Sequence, residues 1–256
     1  MNFGPITTTS LGGGLWTFNE PVNGRPQTDA YLITGNKRAL VIDALTEDTE
    51  LFSKVREITD LPLQVIVTHG HPDHAGAVLK DFHEAGCEIF MHEADFDMLK
   101  PGVSASWFTP LTSGMKFDLG GRVIEAVPLA GHTVGSMVLL DRAGQLAFTG
   151  DAVGAGVFWM QIPGALPLRE FLVNLKEFCG EVAGFDDLTI HTGHRHQLAV
   201  QHKRDFLDEV VLMTEKIISG EWAGEDREMS FGGDNIKYKS LSHVLMSDYC
   251  YNPNNI

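Results

Sequence analysis

Residues 69–74 read His-Gly-His-Pro-Asp-His and directly follow the run Leu-Gln-Val-Ile-Val-Thr. Three histidines and an aspartate within six positions point to a divalent metal. Neutral imidazole suits zinc and iron, and a carboxylate adds charge compensation. His69 and His71 are spaced to converge on one ion, and Asp73 and His74 sit one turn further on, in reach of a second. The cluster also constrains the fold: it has to stand where the end of a buried strand meets donors from elsewhere in the chain.

Short apolar runs alternate with helical patterns along the 256 residues. The pattern predicts strands at Ala30–Ile33 and Ala39–Ile42 around a turn at Asn36, then at Leu63–Val67, Glu88–Met91, Lys116–Asp118 and Arg122–Pro128. Further strands are expected at Met137–Asp141, Gln145–Phe148 and Leu188–His191. Helices are expected at Glu47–Ile58, Ala75–Ala85 with Asp73 available as its N-cap, Glu93–Leu99, Leu168–Phe178 and Gln197–Ser219. From about Gly220 the chain reads as polar and irregular, with strand at Ile236–Lys239. The fold class is α/β (α+β), with two comparable halves and helices outside two packed sheets. Residues 1–219 are read as one catalytic domain. Residues 220–256 are read as an extension whose aromatic residues pack on the same domain or on a partner subunit, which leaves a homodimer open.

Five polar groups fall just past apolar strands. Asp43 ends Ala39–Ile42, His69 ends Leu63–Val67, and His132 lies in Ala-Gly-His-Thr-Val-Gly-Ser. Asp151 lies in Phe-Thr-Gly-Asp-Ala, and His194 in His-Thr-Gly-His. Ligand sites of α/β folds gather at such loops, and Gly131, Gly150 and Gly193 beside three of these groups permit tight turns and close backbone approach.

In this order, Thr-His-Gly-His-Pro-Asp-His-Ala-Gly, Gly-His-Thr-Val-Gly-Ser, Thr-Gly-Asp and Thr-Gly-His resemble the metallo-β-lactamase superfamily over roughly residues 27–200. The resemblance implies a four-layer αββα sandwich with a metal site at one sheet edge. It implies one metal on His69, His71 and His132, a second on Asp73, His74 and His194, and Asp151 and a solvent hydroxide bridging the two. Asp43 would support the loop without ligating. The best-known β-lactamases place Cys where this chain has Asp151. Aspartate there is similar to glyoxalase II-like enzymes, lactonases, alkylsulfatases and phosphodiesterases. The retained His69 and His71 speak against flavodiiron-type chemistry.

Such a site implies a hydrolase with two zinc ions per chain, iron or manganese being alternatives, that cleaves a small ester, thioester or lactone. Asp73 would be the catalytic residue, holding a metal and orienting the hydroxide. A mononuclear-iron, persulfide dioxygenase-like oxidoreductase and a small-molecule phosphodiesterase are the rival readings. The formal charge of −15 argues against nucleic acid and anionic membrane as partners and leaves a small molecule. Three distant cysteines suggest a reduced compartment, and no apolar run reaches membrane-spanning length, so a cytoplasmic protein is the expectation.

Other residues have weaker claims. His83 reads as surface, His92 as structural, His191 as a satisfied buried imidazole, and His202 as solvated. His196 could contact substrate or solvent, and His243 lies in the tail. Val157–Pro163 and Trp107-Phe108 are apolar enough either to line a pocket or to pack on the neighbouring structure. Glyoxalase II carries a helical C-terminal domain for glutathione. This tail has less helix and no basic cluster beyond Lys237 and Lys239, so glutathione thioesters are not favoured.

Overall fold

The computed structural model describes residues 4–46, 50–198, 200–231, 233–244 and 247–256, with Pro26, His243 and Val244 described by their backbone alone. Residues 47–49, at the front of the expected first helix, and the side chain of His243 therefore lie outside the described residues.

The first half contains β1 (Thr7–Gly12), β2 (Leu15–Val22), β3 (Arg25–Thr34), β4 (Ala39–Ile42), α1 (Leu51–Ile58), β5 (Leu63–Ile66), α2 (Leu79–Glu84), β6 (Glu88–Met91) and β7 (Phe108–Pro110). Its seven strands form one sheet in chain order. The second half contains β8 (Lys116–Asp118), β9 (Val123–Pro128), β10 (Met137–Asp141), β11 (Leu146–Gly150), β12 (Val157–Met160), α3 (Leu168–Glu181), β13 (Thr189–Thr192) and α4 (Arg204–Ile218). Five of these strands form a second sheet, in the order β13-β11-β10-β9-β8.

Strand alternation explains why the sheets stack. In β3 and β4, Tyr31, Ile33, Leu40 and Ile42 point one way and meet Ile124, Ala126, Leu139 and Phe148 of the other sheet in a central core. Ala30, Leu32, Ala39 and Val41 point the other way and pack with Leu51 and Val55 of α1 and with Leu79 and Phe82 of α2. On the far side, Leu168, Phe171, Leu175 and Phe178 recur at helical spacing on α3, and Phe206, Val210, Met213 and Ile217 on α4. Both stripes cover Val138, Leu140 and Ala147. Each buried side chain of this kind stabilises by about 1.5–3 kcal/mol. The layers run α-β-β-α, as expected.

The segment after α4 is more ordered than its polar composition suggests. It forms β14 (Glu225–Phe231), β15 (Asp234–Val244) and β16 (Ser247–Tyr251). With β12 these strands make a third sheet, β12-β16-β15-β14. Tyr249 and Tyr251 enter the α3/α4 core, and the Tyr249 ring packs 4.7 Å from Phe158. β1 and β2 also go beyond the expected strands; β1 is exposed and Thr-rich and carries little apolar signal, and in the half-buried β2 buried Thr17 and Glu20 interrupt the apolar pattern.

One histidine is placed differently from expectation, and a second lacks an expected partner. His202 is buried and stacks on Phe206 at 3.5 Å, because α4 starts only at Arg204 and His202, ahead of it, has its Nε2 3.5 Å from Ala155 O. His191 is buried as expected, but its Nδ1 finds no hydrogen-bond partner among the described residues. It stacks on Phe148, 5.0 Å between ring centroids. Among the described residues no helix is long and apolar enough to cross a membrane.

Burial, with Arg195 next, pushes the His191 imidazole down to about 4, whereas an unfolded histidine titrates near 6.5. Between those values the unfolded chain takes up a proton that the folded chain refuses. The stability contribution is therefore whole above about pH 6.5 and is lost as pH falls toward 4. In urea titrations across this window, His191→Leu should show a shallower acid loss than the parent, by on the order of 2–3 kcal/mol in total. Parallel pH curves would contradict this account.

Candidate metal centre

The loops leaving β4, β5, β9, β11 and β13 meet at one edge of the sandwich. The loop after β5 carries His69, His71, Asp73 and His74. Residues 75–78 do not form the expected helical turn, and α2 starts only at Leu79. His71 O accepts from both His74 N and Ala75 N, and His74 O accepts from Ala44 N, so the peptide groups are tied into a turn against the β4 loop. Asp73 is not an N-cap; its Oδ2 accepts from Thr28 Oγ1 at 3.3 Å.

Three groups of ligand atoms lie within 4.8 Å of one another: His69, His71 and His132; His69, His74 and Asp151; and Asp73, His74 and His194. Asp151 stands between the outer two sets. Its Oδ2 is 3.7 Å from His132 Nε2 and 3.2 Å from His194 Nε2, and its Oδ1 is 3.5 Å from His74 Nε2. Two glycines make this closeness attainable. At Gly150 φ is +50°, and a Cβ would sit 2.2 Å from Thr68 Oγ1; at Gly193 a Cβ would sit 2.3 Å from His74 Cε1.

Hydrogen bonds behind the rings decide what faces inward. Asp43 accepts from Thr68 N at 2.7 Å, from Thr68 Oγ1 at 3.0 Å and from His74 Nδ1 at 2.8 Å. With its own proton given to Asp43, the Thr68 hydroxyl accepts from His69 Nδ1 at 3.2 Å. His132 Nδ1 donates to Trp159 O at 2.8 Å, and His194 Nδ1 donates to Gln27 O at 3.3 Å. Each of these four rings therefore directs its Nε2 into the centre; on His69 and His132 it is a lone pair, and on His74 and His194 it becomes one when a cation displaces the proton that the carboxylates hold there. His71 Nδ1 lies 2.9 Å from His132 Nε2. His69 Nε2, His74 Nε2 and Asp151 Oδ1 are buried with no hydrogen-bond partner among the described residues. Buried acceptors left in this state are costly unless a cation meets them, so this donor set fits a metal.

The electrostatics are uneven across the centre. Burial, reinforced by neighbouring imidazoles, holds His69 well below the usual range and His71 down at about 3; burial also lowers His132. These three are neutral electron-pair donors. Burial opposes charge on His194 and His74 too, but there the carboxylates win. Asp151 leads in raising His194 to about 9, and Asp151, Asp43 and Asp73 raise His74 well above its usual value. Against their own burial, Asp151 is held well below the carboxylate range by His194 and His74, and Asp73 is lowered by the same pair. Asp73 is still about a third exposed, at 36%, so solvent moderates its interactions.

This arrangement accompanies clear sequence relationships. Residues 23–221 match the model of the metallo-β-lactamase superfamily. The chain belongs to the metallo-β-lactamase superfamily. It is a metallohydrolase of that superfamily by its ligand-type residues and by its relatives. It is 31% identical over 153 residues to a hydroxyacylglutathione hydrolase of Haemophilus influenzae, covering 53% of this chain and 71% of that protein. It is 30% identical over 128 residues to a hydroxyacylglutathione hydrolase of Hyphomonas neptunium, covering 49% of this chain but only 47% of that protein. Among solved structures, a metallo-β-lactamase from Pontibacter korlensis superposes with a TM-score of 0.68 at 15% identity, covering 82% of this chain and 99% of that one; the likeness is one of fold.

Several residues of the superfamily site had no local signature. Asp95, buried in the short helical turn Glu93–Met98, accepts from Gly70 N at 2.9 Å, from Thr133 Oγ1 at 2.7 Å and from Gly135 N at 2.8 Å. It ties the His69–His74 loop to the His132 loop, and its partners lie 25 to 40 positions away. Gln27, Met98, Gln197 and Phe231 line the cavity over the centre. Period-two alternation resolves the apolar stretch after Asp151: Phe158 and Met160 are core, whereas Trp159 lines the cavity, with Ile162 and Pro163 beyond it. Trp107 stacks on His83, and Phe108 packs near Phe96 away from the cavity. His92 accepts from Ala94 N as a cap, and His196 Nδ1 lies 3.9 Å from Asp29.

Asp95→Ala would leave the buried Gly70 N and Gly135 N without an acceptor, while Thr133 Oγ1 keeps Ser136 Oγ within reach. With charge-assisted bonds worth about 1.5–3 kcal/mol each, the variant should lose at least about 3 kcal/mol in denaturant unfolding and retain less metal on dialysis. Asp95→Asn, which keeps one acceptor oxygen, should fall between. Unchanged stability and metal content in both would refute the tie.

Proposed function

We propose that the chain hydrolyses a small ester, thioester or lactone at a centre of two zinc ions. His69, His71 and His132 would hold one ion and Asp73, His74 and His194 the other, with Asp151 shared between them. The observation that carries this reading is the set of inward Nε2 atoms, each fixed by an acceptor behind its ring, around two ionised carboxylates. The second set is complete, which favours two ions over the single iron of a dioxygenase-like enzyme.

A pair of bound dications would lower the pKa of water toward about 7 and polarise the carbonyl under attack. The chain's own groups do the rest. Asp73, at the cavity mouth, accepts a hydrogen bond from the attacking water and turns its lone pair toward the carbonyl. Thr28 Oγ1 holds the Asp73 carboxylate from behind. The His132–Trp159 bond couples the centre to the wall that positions the substrate. The cavity of about 550 Å³ suits a small molecule and sits in the usual range for ligand pockets. Among the described residues no lysine or arginine lines it, which supports a neutral substrate over a nucleic acid.

Protein purified without added metal should contain about two zinc per chain by elemental analysis; one iron with oxygen consumption would support the dioxygenase-like alternative instead. His71→Ala and Asp151→Ala should each lose activity toward esters, thioesters and lactones by about a thousandfold or more and bind less metal. Full activity at full metal content in either variant would refute the assignment. Asp73→Asn should lower kcat on the order of a hundredfold with little loss of stability; a parental rate would remove Asp73 from its role.

A further inference from the structure

The centre uses the polar half of the cavity. The other half is apolar and comes from three places: Met98, the segment bearing Trp159, Ile162 and Pro163, and Phe231. Phe231 closes the β14–β15 hairpin, paired with Asp234, and its ring lies 6.1 Å from the ring of His71. The hairpin is carried there by the third sheet. β16 runs parallel to β12, directly beyond the Asp151 loop, and β15 and β14 add outward from it.

Along β14 only Met229 and Phe231 are partly buried, and the five other residues are exposed. At a spacing of two they share one face. Met229 Sδ lies 3.5 Å from Gln161 Nε2, beside the same wall. Neither residue belongs to any of the three apolar cores. A phenyl ring held at the end of β14, outside every core and beside a polar centre, is placed for a ligand.

We propose that Phe231 is a specificity-determining residue, seating the apolar acyl chain of the substrate between its ring and Trp159 while the scissile carbonyl faces the histidines. The assignment rests on the hydrolase reading above. It adds the substrate class: neutral esters, thioesters or lactones bearing an unbranched apolar chain. Among the described residues no lysine or arginine lines the cavity to hold an anionic carrier.

The test uses the metal-loaded protein and acetyl, butyryl and hexanoyl esters of one alcohol. For the parent, kcat/KM should rise roughly fourfold per added methylene until the cavity fills. In Phe231→Ala the hexanoyl-to-acetyl ratio should fall about tenfold, mainly through KM, and Phe231→Leu should restore most of it. Hexanamide, which is not turned over, gives a second readout through Trp159 fluorescence, with Trp159→Phe as the control. Its binding should weaken about tenfold in Phe231→Ala. If no ester is cleaved yet hexanamide binding depends on Phe231, the pocket assignment stands and the hydrolase reading fails. If esters are cleaved but neither the chain-length ratio nor hexanamide binding responds to Phe231→Ala, the pocket assignment is overturned and the hydrolase reading stands.

Discussion

An imidazole has two nitrogens, and a hydrogen bond to one of them decides what the other can do. At this centre Asp43 sets that choice for two rings at once. It accepts directly from His74 Nδ1–H, and it accepts from the Thr68 hydroxyl, which leaves that oxygen's lone pair to accept from His69. One buried carboxylate thereby turns two Nε2 atoms inward. The Trp159 and Gln27 carbonyls do the same for His132 and His194. Without these rear contacts the rings could rotate or change tautomer, and the cluster would be a polar loop of no fixed valence.

The centre is also a seam. His69, His71, Asp73 and His74 leave the first sheet; His132, Asp151 and His194 leave the second. The two sets meet only because Tyr31, Ile42, Leu139, Phe148 and their neighbours lock the sheets face to face. Packing in the middle of the sandwich therefore fixes distances at its edge. Tyr31 contributes directly: its hydroxyl donates to Thr192 O at 2.6 Å, holding the strand that leads to His194. Asp95 adds a local clamp between loops of the two sheets.

The C-terminal strands extend the same logic from the centre to its surroundings. β12 begins six residues after Asp151 and serves as both pocket wall and edge strand for the tail. Its outward residue Trp159 faces the cavity, and its inward residues Phe158 and Met160 anchor Tyr249 and Tyr251. β14, exposed but for Met229 and Phe231, is thus brought beside the histidines by backbone pairing, and Phe231 meets the ring of His71.

The sequence by itself determined the metal-type cluster, the strand ends on which its partners stand and the αββα layering, because each is written in local spacing: His-Gly-His-Pro-Asp-His after a buried run, period-two strands, and helical stripes such as Leu168–Phe178. It misread stretches where a long-range contact overrides propensity. Residues 75–78 carry a helical pattern but are held in a turn by Ala44 and His71, and the solvated reading of His202 failed because Ala155 and Phe206 enclose it. Only the tertiary structure decided which ring nitrogens face inward, that Asp95 joins the two halves of the site, and that Phe231 reaches it across 160 positions from His71. Those contacts join residues whose separation along the chain leaves no periodic trace, so they exist only once the sheets have packed.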